Sequence, residues 1–449
     1  MSDPIGTLFS TPQMLGLFSA EAHVQQILHF EAALARAEAQ AGIIPQSAAE
    51  SIAAACRVER FDVPGLYREA VTAGTVVIPL VRELSRQAGD EAGKYAHWGA
   101  TSQDAIDTAT MLQMREGLDL LTSVLLDICA SCARLAEEHR DTLMPGRTLL
   151  QQALPITFGL KAARWLSLVT RQVEGVREVR SHSIALQFGG AAGTLAALGP
   201  AGTNVAASLA TELGLPLPDL PWHAERDRVA RIASALGVAA GAMLKIAGDI
   251  LLMSQPEVGE VSEGAAPGKG GSSAMPHKHN PVDATMARAA ARQAIGAIPL
   301  VLGAMDAEHE RAAGSWQLEW QVIPLLFCFV AAAVARVKNA LSGLHIDAKR
   351  MRANVDSGQG LLMTESAVMA LALHLGRPEA QRLIKAASER VASEKITLRQ
   401  ALTEDEVIGS TLSAAEIERA LNPESYLGST DVWIDHALEA YGRLREDIG

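Results

Sequence analysis

Five long stretches in the middle of the chain, each with apolar residues at helical spacing, constrain the fold more than any other feature. They are rich in alanine and leucine, and no run with the alternating period of a strand reaches a useful length. Helices of this length are roughly 40–50 Å long at 1.5 Å per residue. Because they carry more apolar surface than one partner helix covers, they should form a bundle and also oligomerise. The predicted long helices are 104–139, 155–187, 224–253, 284–305 and 316–341.

Shorter helices are predicted on either side of the bundle. A helix over 19–41 ends at Gly42, and short helical pieces follow to about residue 97. At 449 residues the chain is longer than a single core usually serves. The sequence therefore predicts an all-α protein of three helical domains: an N-terminal domain over 1–110, the central bundle over 111–350 and a small C-terminal domain over 351–449. The helices predicted in the last domain are 362–375, 378–394, 398–402, 414–421 and 429–445.

Composition and charge argue against several classes of function. The formal net charge of −12 disfavours binding to nucleic acid or to an anionic membrane surface. Cys129 and Cys132 lie three apart on one face of an apolar helix with no second pair at zinc spacing, so they are interpreted as core packing. The first residues lack the basic and apolar regions of an export signal. The apolar windows at 233–253 and 322–334 are interrupted by charge or too short to span a bilayer. We therefore expect a cytoplasmic protein.

The segment Pro267–Pro281 is the least helical part of the bundle and is rich in polar groups. Three glycines and three prolines deny it regular structure, while hydroxyl, ammonium, imidazole and amide groups crowd its middle. Such a segment is typical of a loop that closes over an anionic ligand. His277 and His279 lack a third ligand at any usual spacing, so no metal is predicted. Since 264–269 and 187–194 fit neither a phosphate-binding loop nor a dinucleotide motif, no cofactor is predicted either.

This loop resembles Gly-Ser-Ser-x-Met-Pro-x-Lys-x-Asn-Pro, the signature of the fumarase/aspartase superfamily, which includes the adenylosuccinate and argininosuccinate lyases. Two blocks, 97–109 and 146–159, resemble the same superfamily in the same order. Three further blocks, 30–39, 186–199 and 308–311, are most similar to the branch that lactonizes 3-carboxy-cis,cis-muconate. The likeness extends over essentially the whole chain.

The resemblance implies an assembly and an activity. The superfamily builds homotetramers around a central helical bundle, and each active site draws on three subunits. The branch implies a cofactor-independent cycloisomerase that converts 3-carboxy-cis,cis-muconate to 4-carboxymuconolactone in protocatechuate breakdown, by adding a substrate carboxylate to a carbon–carbon double bond. A 3-sulfomuconate cycloisomerase, or another elimination lyase such as adenylosuccinate lyase, is the alternative. The remote alternative is a non-catalytic scaffold like some crystallins of the superfamily, although a structural relic has no reason to retain the hydroxyls and lysine of the loop.

The resemblance also implies which residues form the site. Ser272 and Ser273 stand where the superfamily keeps its base serine, and the first is preferred. In lactonization this serine would deliver the proton to carbon, with Lys278 and the amides of Gly270 and Gly271 favouring its alkoxide. The residues implied in substrate binding are His97, Thr101, Ser102, Gln151, Met275, Asn280 and Arg311.

Four of these residues have a structural alternative. Thr101 and Ser102 place hydroxyls and amides at a helix start, where a carboxylate would bind, but the same residue types cap helices. His97 is equally well a hydrogen-bonded core histidine. Arg311 resembles a carboxylate-binding arginine, or it forms an ion pair with Glu308 or another acid at helical spacing.

Three positions depart from the family patterns. Leu149 replaces the acid histidine of the superfamily lyases. A basic leaving group needs a proton as it departs, whereas a carboxylate with a pKa near about 4 does not, so this replacement argues against amine or hydroxide elimination and fits a lactone. The muconate branch typically has tryptophan here and histidine three residues later, where this chain has Gln152, so the 3-substituent of the substrate stays open. Trp320 replaces the phosphate-binding arginine of adenylosuccinate lyases and disfavours a nucleotide substrate.

Overall fold

The structure, a computed structural model, describes residues 6–448 of the chain. Over this range the chain forms eighteen α-helices, joined by short 3₁₀ turns, and four short strands. The predicted all-α fold is therefore confirmed.

Five helices precede the long central ones. Ser19 starts the second of them, since its Oγ accepts a hydrogen bond from the Ala22 amide at 3.1 Å. The apolar side chains that predicted this helix, Val24, Ile27 and Leu28 among them, are buried. The five helices are α1 Pro12–Leu17, α2 Ala20–Gln40, α3 Gln46–Ala55, α4 Val63–Ala73 and α5 Val77–Ala88.

Long helices make up the middle of the chain, as predicted, and all but one of their ten ends lie within three residues of the predicted positions. The exception is the end predicted at 187, because the helix stops at His182 and the backbone of Gln187 pairs instead with the Thr108 hydroxyl. A shorter helix, α8, was not predicted. The helices are α6 Ser102–Glu138, α7 Phe158–His182, α8 Gly202–Leu213, α9 Asp227–Met253, α10 Val282–Gly303 and α11 Ser315–Ser342.

A β-hairpin lies between α6 and α7, and here the expectation of no useful strand was wrong. Pro145 and Gly146 break the alternating pattern of its first strand, and the pairing register shifts between Pro145 and Arg147. Residues 155–157 belong to its second strand and not to the helix predicted from 155. The strands are β1 Leu143–Thr148, β2 Gln151–Thr157, β3 Val261–Ser262 and β4 His345–Ile346, paired antiparallel as β1 with β2 and β3 with β4.

The turn between β1 and β2 is strained. Leu149 and Leu150 occupy it with φ of 51° and 64°, in the left-handed region. A type I′ hairpin turn needs positive φ at both central residues, and asparagine or glycine normally supplies it. For other residues this region costs roughly 1–2 kcal/mol each. The two leucine side chains are 96% and 74% exposed, so the tip of the hairpin presents apolar surface at an energetic cost.

Shorter helices return after residue 347, as predicted. One buried apolar cluster, which includes Leu371, Leu383 and Leu398, joins several of them. Ser413 and Glu416 form a capping box at the start of one helix. The helices are α12 Ala348–Asp356, α13 Thr364–Leu375, α14 Arg377–Glu394, α15 Leu398–Glu404, α16 Glu406–Thr411, α17 Ala414–Ala420 and α18 Thr430–Glu446.

Two helices, α9 and α11, have the length and apolar composition of a membrane span. The expectation that the apolar run in α11 is too short was wrong, because the helix continues for 28 residues. However, 50% of the apolar window in α9 and 61% of that in α11 are buried within the protein. Core helices of soluble proteins meet the same criteria of length and composition.

The chain divides into two compact units, and neither is continuous in sequence. The division into three domains at about 110 and 350 stays a prediction. The first unit comprises the residues up to Val124, Gln172–Leu244 and Met286–Ala335, and the second comprises Leu125–Arg171, Lys245–Thr285 and the residues from Arg336 onward.

Candidate active site

The predicted site residues are distributed over both units, so each group is described within its own unit. The signature loop and the hairpin belong to the second unit, while the residues before α6 and those before α11 belong to the first. The first unit contains His97, Thr101, Ser102 and Arg311, and the second contains Gln151, Ser272, Ser273, Met275, Lys278 and Asn280.

Asp104, a wholly buried residue in the first turn of α6, organises the site in the first unit. Its carboxylate accepts five hydrogen bonds, which tie the start of α6 to the glycine-rich segment 187–190. Both segments belong to blocks that resemble the superfamily, but this aspartate was not among the predicted site residues. The donors are the amides of Thr101 (3.0 Å), Gly189 (3.0 Å) and Gly190 (2.9 Å), Gln187 Nε2 (3.1 Å) and His223 Nε2 (2.8 Å).

Close backbone contact explains the glycine in this junction. Gly190 has φ of +69°, and a Cβ added there would lie 2.9 Å from the carbonyl oxygen of Gly99. A larger residue at 190 would therefore push the two segments apart. The glycine-rich segment that fails the dinucleotide pattern has a packing role instead.

Arg311 is held beside the same segment by neutral groups. Its Nε donates to Gln103 Oε1 at 3.0 Å and its Nη2 donates to the Ala191 carbonyl at 3.1 Å. Within residues 6–448 it forms no ion pair, and the Glu308 carboxylate instead accepts the Ala313 amide at 2.9 Å. The ion-pair alternative is therefore not observed, and the guanidinium charge is oriented but not neutralised.

The hydroxyls of Thr101 and Ser102 do not cap the start of α6. The hydrogen bond at this helix start runs from the Thr101 amide to the Asp104 carboxylate, so the threonine hydroxyl does not act as the cap. Neither hydroxyl has a hydrogen-bond partner in the part of the chain that the structure describes, and both residues are half-buried. The side-chain capping alternative is not observed here.

His97 combines the two alternatives that the sequence left open. Its Nδ1 lies 2.6 Å from Oε1 of the buried Glu31, as expected of a satisfied histidine. Its side chain is still 16% exposed, and Nε2 has no partner among the described residues. Glu31 lies in the block 30–39 that resembled the muconate branch, and its position four residues after Ile27 and three after Leu28 places it on the buried apolar face of α2, a signal that could have marked it as buried.

A buried charge cluster lies behind Gln103 in the same unit. Arg226 donates to Asp107 at 2.7 Å and also pairs with Glu319. These three residues border a cavity of about 230 Å³, which is also lined by Trp320. Because two carboxylates already neutralise Arg226, the cavity lacks the free positive charge that a polycarboxylate requires.

The signature loop in the second unit closes on itself at its base. The Asn280 amide donates to the Gly270 carbonyl at 2.8 Å. Gly270 has φ of +73°, and a Cβ there would lie 2.7 Å from the Asn280 oxygen, which explains the glycine. Ser272 Oγ accepts the amides of Ala274 at 3.4 Å and Met275 at 3.1 Å. These amides, and not those of Gly270 and Gly271, are the donors that the structure provides to this serine.

An ion-pair cluster fixes the same base, which we call the loop neck: Lys269, Glu263, Asp283 and the Gly270–Asn280 hydrogen bond. Lys269 Nζ lies 2.7 Å from Asp283 and 3.3 Å from Glu263. Glu263 in turn accepts the amide of Asp283 at the start of α10. The Lys269 charge is thus used within the protein.

The middle of the loop is open. Ser273 and Lys278 are exposed, and Met275 is 44% exposed. The Lys278 ammonium has no hydrogen bond or ion pair to any residue between 6 and 448. It is therefore the lysine of the loop whose charge is free to meet a ligand.

The hairpin is anchored at its base and exposed at its tip. Arg147 makes two hydrogen bonds, at 2.9 and 2.7 Å, to the wholly buried Glu260. Asn354 Nδ2 donates to the same carboxylate at 2.8 Å. Beyond this anchor Gln151 is exposed, as is Leu149, which replaces the superfamily histidine.

Comparison with known proteins places these features in context. A family model described as lyase matches residues 8–296, and a model described as adenylosuccinate lyase C-terminus matches residues 360–437. The chain is 45% identical over 439 residues to a 3-carboxy-cis,cis-muconate cycloisomerase from Pseudomonas aeruginosa, covering 97% of this chain and 96% of that protein. It is 44% identical to the enzyme of the same name from Bradyrhizobium diazoefficiens, with 99% of each covered.

A solved structure has a similar fold over the whole chain. The 3-carboxy-cis,cis-muconate lactonizing enzyme from Pseudomonas putida superposes with a TM-score of 0.93 at 41% identity. The alignment covers 99% of this chain and 100% of that one.

Proposed function

We propose that this chain, which belongs to the lyase family, is a cycloisomerase that converts 3-carboxy-cis,cis-muconate to 4-carboxymuconolactone. The observation that carries the proposal is 45% identity, over nearly the full length of both chains, to a Pseudomonas aeruginosa enzyme of that name. The intact signature loop and the uncompensated charges in both units support it.

Three cationic groups suit the substrate. Its three carboxylates have pKa values near about 4 and are therefore ionised at neutral pH. Arg311 is oriented by neutral acceptors, Lys278 has a free ammonium, and His97 has an unused ring nitrogen. We assign these groups to carboxylate binding, together with Thr101 and Ser102. In a protein of net charge −12, positive groups that no carboxylate neutralises are what attract a polyanion.

The chemistry needs one new bond and one proton. An oxygen of one substrate carboxylate attacks the double bond, the carbon–oxygen bond forms, and the π electrons move toward the carboxylate that activates it. The Ser272 hydroxyl gives its proton to the adjacent carbon, and the resulting alkoxide is stabilised by the amides of Ala274 and Met275 and by Lys278. Solvent then returns a proton to the serine. Each turnover converts a trianion to a dianion and therefore consumes one proton.

Leu149 fits this chemistry because the reaction has no basic leaving group. In the reverse direction the bond that breaks releases a carboxylate, which departs without a proton. An amine or hydroxide would require an acid at this position. The exposed leucine supplies none, and it instead offers apolar surface.

That apolar surface supports an assembly of several copies of the chain. We assign the chain to a homotetramer in which the tip Leu149–Leu150 binds another copy, because exposed leucines in a strained turn are unfavourable for an isolated subunit. The double variant Leu149→Asn, Leu150→Gly relieves the strain and removes the apolar contact. Sedimentation should show smaller species, and activity should fall. A variant that stays tetrameric would contradict this role.

Loss of diene absorbance tests the activity itself. Enzyme added to 3-carboxy-cis,cis-muconate should remove the ultraviolet absorbance of the conjugated diene, and a pH-stat should record uptake of one proton per turnover. Ser272→Ala should lower kcat by orders of magnitude with little change in KM, and Ser273→Ala serves as the matched comparison. No turnover of this substrate, but turnover of adenylosuccinate, would refute the proposal.

A second substrate is favoured by Leu149 and Gln152, which replace the large and basic side chains usual in the branch. A 3-sulfo substituent differs from carboxylate in shape and charge distribution, and the changed side chains at positions 149 and 152 would admit it. Parallel assays with 3-sulfomuconate compare kcat/KM for the two substrates. A higher value for the sulfonate would reassign the substrate within the same reaction class.

A further inference from the structure

Glu31, in the middle of α2, is the direct partner of His97. The 2.6 Å contact joins Glu31 Oε1 to His97 Nδ1, and the Glu31 side chain is wholly buried. Its second oxygen, Oε2, has no hydrogen-bond partner among residues 6–448. A buried carboxylate with one partner is strongly unfavourable unless that partner carries the opposite charge. The contact therefore favours a charged imidazole.

The charges around His97 act in the same direction. Burial lowers its pKa, but the charge of Glu31, the hydrogen bond that His97 donates to Glu31 and the charge of Asp104 outweigh burial and raise the pKa above its ordinary value. Asp104 also contacts His223, at 2.8 Å. The charges of Glu31 in α2 and Asp104 in α6 therefore both favour the charged form of the His97 imidazole.

The other titratable groups near Glu31 add no competing charge. Glu38 lies two turns farther along α2, and neither of its oxygens has a partner in the described chain. Burial, reinforced by the charge of Glu31, raises the pKa of Glu38 to about 9, so it is neutral at pH 7. Burial also raises the pKa of the Cys56 thiol. Arg36, the cation on this helix, is paired with Glu212 at 2.8 Å.

The geometry leaves one ring nitrogen of His97, Nε2, available. With Nδ1 held by Glu31, an imidazolium has one N–H donor left, at Nε2, and no described residue accepts it. The backbone of His97 has φ of +59°, an uncommon value for a residue other than glycine, and its Nδ1 contact with the buried Glu31 holds the ring in place. Thr101 follows in the same loop and Ser102 begins α6, and the hydroxyls of both have no partner among the described residues.

We propose that Glu31 is a positioning residue that keeps the His97 imidazole charged and turned with Nε2 outward, so that His97 serves as a hydrogen-bonding cation for a substrate carboxylate and not as a proton-accepting base. The inference rests on the proposed function, since it gives one carboxylate of that substrate a partner. It adds a residue from α2, remote in sequence from every motif assigned to the site.

Glu31→Gln tests the kinetic consequence. Glutamine retains a hydrogen-bond acceptor for Nδ1 but removes the charge. Below about pH 6, where a free histidine is still protonated, KM should match that of the wild type. At pH 8, KM should rise about tenfold for each unit by which the His97 pKa falls, with a smaller change in kcat. Glu38→Gln, on the same helix, replaces a group that is already neutral and should leave the pH profile unchanged.

A direct titration of His97 separates this inference from the substrate assignment. Histidine labelled at Cε1 with ¹³C gives one signal per ring, and the His97 signal is the one lost in His97→Gln. It should titrate above about pH 6.5 in the wild type and lower in Glu31→Gln. A wild-type value at or below 6.5 overturns the inference even if Glu31→Gln fails to fold, and so does an unchanged KM at pH 8 in a folded variant. Absence of wild-type turnover refutes the proposed substrate, and the titration then decides the inference alone.

Discussion

Asp104→Asn should release the glycine-rich segment from the start of α6. Asparagine keeps one acceptor oxygen and replaces the other with an amide donor, which faces backbone donors instead of accepting from them. One aspartate oxygen accepts from Thr101 and Gly190, and the other accepts the remaining three donors, so at least two donors lose their acceptor in either orientation. Each buried unsatisfied donor costs roughly 1–3 kcal/mol, which gives a loss of roughly 2–6 kcal/mol.

Amide hydrogen exchange measures this loss where it occurs. In the wild type the amides of Gly189 and Gly190 are hydrogen-bonded and should exchange slowly. A local loss of roughly 2 kcal/mol or more accelerates exchange about thirtyfold or more, at 1.36 kcal/mol per tenfold. Arg311 should lose its fixed orientation as well, because one of its acceptors, the Ala191 carbonyl, directly follows this segment, so kcat/KM should fall.

Asp119→Asn provides the matched control on the same helix. Asp119 pairs with Arg180, but both side chains are about half exposed, and such a pair contributes only about 0–1 kcal/mol. Exchange of the segment 187–190 should therefore match the wild type in this variant. If Asp104→Asn also left that exchange unchanged, the aspartate would not be the anchor that its five contacts indicate.

Three further variants test other parts of the structure. Gly190→Ala should lower the thermal midpoint more than Gly193→Ala does. Both positions have positive φ, but only at 190 would the added Cβ lie against a backbone carbonyl. Similar midpoints for the two variants would contradict this. Glu38→Gln should make stability less dependent on pH, because the pKa of Glu38 in the folded protein is about 9 and its ordinary value is 4.5. The wild type therefore loses up to about 1.4 kcal/mol of stability per pH unit as pH rises between these two values. Denaturation of both proteins at pH 5 and pH 8 would reveal the difference. Lys269→Met should lower both the thermal midpoint and kcat/KM, whereas Lys278→Met should lower kcat/KM alone. Only Lys269 is paired with buried carboxylates. Equal midpoints for the two variants would show that the ion pairs of the loop neck do not stabilise the fold.

The long helices follow from the sequence because their signal is local and repeated. The hairpin does not, since Leu149 and Leu150 adopt positive φ without the glycine or asparagine that normally marks such a turn. Pro145 removes a further part of the strand pattern. Tertiary contacts, including those of Arg147 with Glu260, hold a structure that local preference alone would not select.

The candidate site was predictable where it depends on motifs and not where it depends on buried charge. The loop and the residues at the start of α6 carry recognisable patterns, although their catalytic roles stay predictions. Glu31 and Asp104 sit within helices, where an acidic residue ordinarily indicates a solvent-facing position. The spacing of Glu31 from Ile27 and Leu28 could have indicated its burial, but the partners of both carboxylates, His97 and the segment 187–190 among them, become evident only once the chain is folded.

The loop neck determines how much disorder the substrate must remove. A segment fastened at both ends has already lost most of its chain-closure entropy during folding, so binding restricts a small flap and not a free tether. Capture of the polyanion should consequently carry a modest entropic penalty. Removing the ion pairs of Lys269 would move that entropic penalty to the binding step, where calorimetry would detect it as a less favourable entropy of association.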